Sequence, residues 1–204
     1  MYNNLLSYGD FIQLKNNCNS KKLLEEINGF EWKRYNPRKN VERYGLSVTS
    51  ENGELDGKDL DSLYELSKET GKVYSEDSFT SLTPVYHKSK EVQKLVDPYK
   101  PWLCRTHFLN FRKGGYFPPH RDSYKFGEQK FMRLIVPIKK CNPSWLYFMY
   151  EDKILNFNRG YTYFLNTNKQ HHIFSFSDDS TMLVMNIKCC KEAIDKIFED
   201  ILWK

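Results

Sequence analysis

His120 and Asp122 stand two positions apart in Phe117-Pro118-Pro119-His120-Arg121-Asp122, just past Gly114-Gly115. Side chains on an extended segment repeat every second residue, so an imidazole and a carboxylate at this spacing point the same way. Further along, Gln170-His171-His172-Ile173 opens another strand-like run. Two imidazoles and one carboxylate make the facial triad that holds non-haem iron(II) and leaves coordination positions open. A His-x-Asp pair alone is also what an ordinary turn after two prolines looks like. Its context argues for ligands: a glycine turn before it, the apolar run Arg133-Leu134-Ile135-Val136-Pro137-Ile138 after it, and a third candidate at a strand head. His171 and His172 are neighbours and would point to opposite faces of a strand, so only one of them can join.

The elements that must position these groups are strands. From Trp102 onward the segments 104–111, 131–138, 145–150, 161–165, 171–176 and 182–187 are aromatic and β-branched and are separated by turn residues. Glu151-Asp152-Lys153 reads as a hairpin tip and Asn158-Arg159-Gly160 as a tight turn. Such spacing predicts a sandwich or jelly roll, whose interior can hold a ligand. Ala193, Ile194, Ile197, Phe198, Ile201 and Leu202 form a helical stripe within 191–204, a helix packed outside the sheet.

The first half reads as a wrapper. It holds a helix over 20–29 with Ser20 as N-cap and Gly29 as stop, and a half-buried strand over 44–50. A helix opening at Asp59 and a short one over 89–96 follow. No repeat or linker divides the chain, so one domain over 1–204 is expected: wrapper 1–101, β core with the metal site 102–188, and C-terminal helix 191–204.

Composition narrows the class. In 204 residues, 14 Tyr and 14 Phe suit a β-rich body with a lined cavity. Cys18, Cys104, Cys141, Cys189 and Cys190 are odd in number and lack metal-ligand spacing, so reduced thiols are expected rather than a disulfide framework. No run reaches the length of a membrane span and Met1-Tyr2-Asn3-Asn4 has no signal character, which predicts a soluble, cytoplasmic chain. Net charge is +5; residues 1–100 carry 15 basic and 16 acidic groups, and residues 101–204 carry 16 and 10. The excess lies beside the candidate site and favours an anionic small molecule. No basic stripe with interleaved aromatics is present, so a small-molecule or peptide substrate is expected, not nucleic acid.

Taken in order, Arg105-Thr106-His107-Phe108, Gly114-Gly115-Tyr116-Phe117-Pro118-Pro119-His120-Arg121-Asp122, Arg133-Leu134-Ile135-Val136-Pro137, Asn158-Arg159-Gly160-Tyr161 and His171-His172-Ile173 resemble a known family. It is the aspartyl/asparaginyl β-hydroxylase and proline hydroxylase branch of the Fe(II)/2-oxoglutarate oxygenases. The resemblance covers 102–188. It implies a double-stranded β-helix of the cupin type and makes His120, Asp122 and His171 the iron ligands, His171 being preferred because the family reads His-x-Val/Ile there. It implies Fe(II) and 2-oxoglutarate as cofactors, a dioxygenase releasing succinate and CO₂, and hydroxylation rather than halogenation, since the carboxylate ligand is present. It also implies that Arg133 binds a 2-oxoglutarate carboxylate, a role its planar fork suits.

The chain departs from the family at Thr181, where relatives carry a second Arg for the far carboxylate. Arg133 with a hydroxyl hydrogen bond from Thr181 is the expected substitute; Lys188, Lys139 and Arg105 are the other cations considered. A non-catalytic cupin-type binding module, or a metal-dependent cupin enzyme that ignores 2-oxoglutarate, are the rival readings.

Overall fold

The structure, a computed structural model, describes residues 2–122 and 129–203. Met1 and Lys204, the two ends of the expected domain, lie outside the described residues. From Leu103 the chain crosses repeatedly between two antiparallel sheets. β6 (Leu103–Phe111), β8 (Phe131–Lys139), β11 (Tyr161–Leu165) and β13 (Ser180–Lys188) belong to one sheet. β7 (Tyr116–His120), β9 (Leu146–Tyr150), β10 (Lys153–Ile154) and β12 (His171–Ser175) belong to the other. This alternation is the double-stranded β-helix, a β-rich jelly-roll core with flanking helices.

The wrapper extends the sheet as well as covering it. β1 (Phe11–Asn17) pairs with β11 at one edge, and β2 (Lys33–Arg34) and β3 (Arg43–Ser47) build outward from β6 at the other. The order is β1-β11-β8-β13-β6-β3-β2 in the seven-stranded sheet and β10-β9-β12-β7 in the four-stranded sheet. β4 (Thr49–Ser50) and β5 (Ser81–Leu82) make a separate ribbon.

Six α-helices are described: α1 (Tyr2–Leu6), α2 (Ser20–Ile27), α3 (Leu63–Thr70), α4 (Pro84–Lys88), α5 (Lys90–Val96) and α6 (Lys191–Asp200). α2, α5 and α6 send Leu23, Val92, Leu95, Ile194 and Ile197 onto Phe108, Leu134, Val136, Leu183 and Met185 of the large sheet. The opposite face of the same strands, with Leu109, Ile135, Met182 and Val184, packs on Phe148 and Ile173 of the small sheet. Burial on both faces explains why 131–138 reads as a continuous apolar run. The small sheet is covered on one face only, and β12 alternates accordingly, with His171 and Ile173 buried and Phe174 exposed.

Local chemistry moved some boundaries. Asn19, not Ser20, caps α2: its Oδ1 accepts from the Lys21 and Lys22 N–H groups at 3.2 Å each. Ser89 caps α5 through the Val92 N–H at 3.1 Å. Asp59 does not open a helix. It is fully buried in a 3₁₀ turn (Lys58–Leu60) with its carboxylate on the Ser47 hydroxyl at 2.6 Å, and α3 starts after Ser62.

The turn into β7 depends on both glycines. Gly114 has φ +79°, where a side chain is strained. At Gly115 a Cβ would lie 2.3 Å from the Glu42 carbonyl oxygen and 2.9 Å from that of Arg112. Gly115→Ala is therefore expected to cost about 1–3 kcal/mol, and a loss under about 0.5 kcal/mol in denaturant unfolding would contradict the close approach. Among the described residues no helix is long and apolar enough to cross a membrane.

Candidate metal centre

β7 is the edge strand of the small sheet and pairs with β12, placing His120 opposite His171. Pro118 and Pro119 have no N–H to give a ladder, which confines them to an edge or an irregularity. The pairing slips at this point: Phe117 faces Ile173 and His120 faces His171, so β7 carries one extra residue. The slip turns the His120 side chain to the inner face, and the two imidazole centroids come within 4.3 Å. His172 falls on the other face of β12, opposite Met149 of β9, and takes no part.

Each ring is fixed by a carbonyl two residues back. His120 Nδ1 lies 2.7 Å from the Pro118 oxygen, and His171 Nδ1 lies 3.0 Å from the Lys169 oxygen. A carbonyl only accepts, so both Nδ1 atoms carry the proton and both Nε2 lone pairs are left for a ligand. Burial holds the His171 pKa below the ordinary imidazole value, with the Lys169 carbonyl opposing, which favours the neutral form a metal needs.

Asp122 follows on, its N–H donating to the Thr167 carbonyl at 2.9 Å. Burial pushes its pKa up, but Arg133 and then the two imidazoles outweigh that and hold it below the usual carboxylate value. Its Oδ1 is 3.8 Å from His120 Nε2. Its Oδ2 is 3.1 Å from Arg133 Nη1, close enough for an ion pair, yet this buried oxygen receives no aligned hydrogen bond from the described residues. One ligand atom from each of His120, Asp122 and His171 lies within 4.8 Å of the others. Two imidazole nitrogens and a carboxylate are the donor set that iron(II) takes. The residues fit the ion.

These groups stand at one end of a cavity of about 220 Å³ between the sheets. Its opposite wall carries Arg105 and His107 on β6, Arg133 on β8 and Asn186 on β13 between them. The Asn186 Oδ1 accepts from Arg133 Nε at 3.2 Å, and its Nδ2 donates to Glu76 at 2.9 Å and to the Arg105 carbonyl at 2.8 Å. Arg105 Nη1 is 3.6 Å from Glu76, Nη2 donates to the Asp61 carbonyl at 3.1 Å, and Nε donates to the Asp59 carbonyl. His107 is buried with Nδ1 unpartnered among the described residues, and burial, then Arg105 and Arg133, hold its pKa well below the ordinary value. It enters the cavity as a neutral imidazole.

Thr181 is not part of this wall. It shares a strand face with Leu183, Met185 and Ile187, and that face packs beneath the helices. The residues lining the cavity are Met182, Val184 and Asn186, one position out of phase. The Thr181 hydroxyl instead accepts from Asn110 Nδ2 at 2.9 Å. The expected hydroxyl contact to a ligand from Thr181 is thus corrected. Lys139 ion-pairs with Asp179, and Lys188 is exposed, so neither supplies the missing cation. Arg105 does face inward. It lies on the strand face it shares with His107 and Leu109; the sequence offered it only as one of several cations, and Glu76 and Asn186 carried no sequence signal.

Asp59, beneath Arg105, has its pKa raised to about 6, chiefly by burial. Between the ordinary 3.8 and about 6 the folded chain holds a proton that the unfolded chain has lost. Its contribution to stability therefore falls as pH rises through that window. Asp59→Asn is expected to flatten the slope of unfolding free energy there, and an unchanged slope would contradict the assignment.

No family model and no curated protein matches the chain. Among solved structures it is similar to the viral collagen prolyl hydroxylase of Paramecium Bursaria Chlorella virus-1, solved with 2-oxoglutarate. The identity is 8%, the TM-score 0.49, and the match covers 92% of this chain and 99% of that one. A Pseudomonas putida prolyl-4-hydroxylase is 9% identical with TM-score 0.47, covering 92% and 97%. A Burkholderia pseudomallei oxidoreductase of the 2OG-Fe(II) oxygenase family is 9% identical with TM-score 0.45, covering 83% and 77%.

Proposed function

We propose that the chain is an iron(II)- and 2-oxoglutarate-dependent dioxygenase that hydroxylates a small molecule or a peptide side chain, with release of succinate and CO₂. The observation that carries this reading is the convergence of one ligand atom each from His120, Asp122 and His171 in a cavity walled by two arginines. His120, Asp122 and His171 would hold the iron. The chemistry it supplies when bound is activation of O₂, coupled to oxidative decarboxylation of the co-substrate.

Charge balance supports the dianionic co-substrate. Among the described residues the cavity lining carries Arg105 and Arg133 against Glu76 and Asp122, which cancel. A divalent cation added to that lining leaves a double positive charge, which a dicarboxylate neutralises. Arg133 presents a guanidinium beside the ligands, while Asn186 holds its Nε in place. Arg105 spends its Nε and Nη2 donors on backbone carbonyls and acts as a fixed positive charge in the wall. Leu109, Ile135, Phe148, Ile173 and Val184 keep the rest of the cavity apolar and exclude water from the reacting groups.

The test is 2-oxoglutarate consumption with iron(II) and O₂, matched to succinate released. Stoichiometric succinate that disappears in Asp122→Ala supports the reading. Tight iron binding with no 2-oxoglutarate turnover, with or without a panel of amino acids and peptides, would instead favour a cupin enzyme of another kind. No iron binding at all would leave a cupin-type binding module.

A further inference from the structure

Beside the cavity lies a second, open groove of about 340 Å³, and the two share Tyr35, Arg105, Phe117 and His120 as walls. The groove is lined by Asn36, Lys39 and Arg43 as well as by His120. Phe117 lies close to both Arg43 and His120. Its ring centroid is 4.0 Å from the Arg43 Cζ and 6.1 Å from the His120 ring.

Arg43 is unusual within this groove. It is 3% exposed, yet its guanidinium has no carboxylate partner and donates no hydrogen bond among the described residues; Nε is a buried donor with no acceptor. Arg105, comparably buried, has Glu76 and two carbonyls. The neighbours of Arg43 are rings, Phe117 at 4.0 Å and Tyr35 at 5.5 Å. Ring faces attract the cation but do not take up its N–H donors as an oxyanion does. Burial works against its charge, with no acid close enough to offset it.

A second group in the same groove is also unsatisfied. Asn36 Oδ1 is buried without a partner among the described residues, while the Asn36 backbone N–H is anchored to the Leu60 carbonyl at 2.8 Å. Asp61 is the one acid among the described lining residues, and its carboxylate is already held by Arg38 at 2.8 Å. Lys39, Arg43 and Arg105 therefore leave the groove positive.

We propose that this groove holds the substrate and that Arg43 binds an oxyanion on it, a carboxylate or a phosphate, next to a donor taken by the Asn36 carboxamide. That the bound molecule is the one hydroxylated rests on the oxygenase reading above. The aromatic walls Tyr35 and Phe117 carry the part of the molecule between the anion and His120, so the oxidised carbon lies a few bonds from the charged group.

The experiment follows the Arg43 Nε–H and Asn36 side-chain amide resonances in ¹⁵N-labelled protein at constant ionic strength. Inorganic phosphate and acetate are titrated separately, first into metal-free protein and then with Zn(II) and 2-oxoglutarate present. The expected result is a saturable shift of both resonances with one of the two anions, in both states. Saturation by phosphate identifies a phosphorylated ligand, and saturation by acetate a carboxylate. Arg43→Gln should weaken the response at Asn36 by about tenfold or more, and Arg43→Lys by less. No saturable shift from either anion in the wild-type protein would overturn the proposal, whatever the variants do. An unchanged affinity in a folded Arg43→Gln protein would overturn it as well. Failure of Zn(II) and 2-oxoglutarate to bind, with the anion still saturating Arg43, would remove the oxygenase reading and leave the anion site standing.

Discussion

His120→Ala, Asp122→Ala and His171→Ala are each expected to abolish tight iron(II) binding, while His172→Ala retains it. Each of the first three removes one of the ligand atoms that the β7–β12 pairing brings together. His172 lies on the opposite face of β12. The fold should persist in all four, because the packed cores beneath the helices and between the sheets do not depend on these side chains. Removing a metal ligand leaves a pair of donors that no longer encloses the ion, whereas loss of a partner outside the ligand shell typically costs about 10–100-fold. Iron affinity by competition with a chelator separates the cases. Loss of iron in His172→Ala with retention in His171→Ala would reverse the ligand assignment.

Arg133→Ala is expected to weaken 2-oxoglutarate binding roughly thirtyfold or more, since a buried, charge-assisted carboxylate contact is worth about 2–5 kcal/mol. Its effect on iron should be small and in an unexpected direction. The guanidinium sits 3.1 Å from Asp122 Oδ2 and competes with a cation for that oxygen. Its removal leaves the carboxylate more basic and the site less positive, so iron affinity should stay within about threefold or rise. Co-substrate affinity changed by less than threefold would show that Arg133 serves only to orient Asp122.

The residue types of the candidate triad were legible in the sequence because their spacing is a local pattern. A His-x-Asp pair and a later His at a strand head can be read from local sequence, but with Phe117 facing inward the two-residue period would turn His120 out; the extra residue in β7 brings it in, and Asp122 lies past the end of the strand. The jelly roll was legible for the same reason, from the strand-and-turn spacing after Trp102. What misled was phase. Thr181 and Met182 look equivalent in a strand buried on both faces, and a bulge in the β13–β8 pairing falls between them. Only the sheet's tertiary partners tell which face meets the helices and which meets the cavity. β1 carried no sequence signal strong enough to place it at the sheet edge, since its register comes from pairing with β11. Glu76 and Asn186 were hidden differently: a polar residue acquires its role from a partner 110 positions away, and no local pattern records that.

The triad is proposed to hold iron and the neighbouring wall to hold 2-oxoglutarate. This assignment is tested most directly by anaerobic titration of the purified protein with iron(II), followed by 2-oxoglutarate, monitored by visible absorption. The account predicts a metal-to-ligand charge-transfer band that grows to one equivalent of 2-oxoglutarate, is absent in Asp122→Ala, and needs much more co-substrate in Arg133→Ala. Stoichiometric iron binding with no such band at saturating 2-oxoglutarate would contradict it.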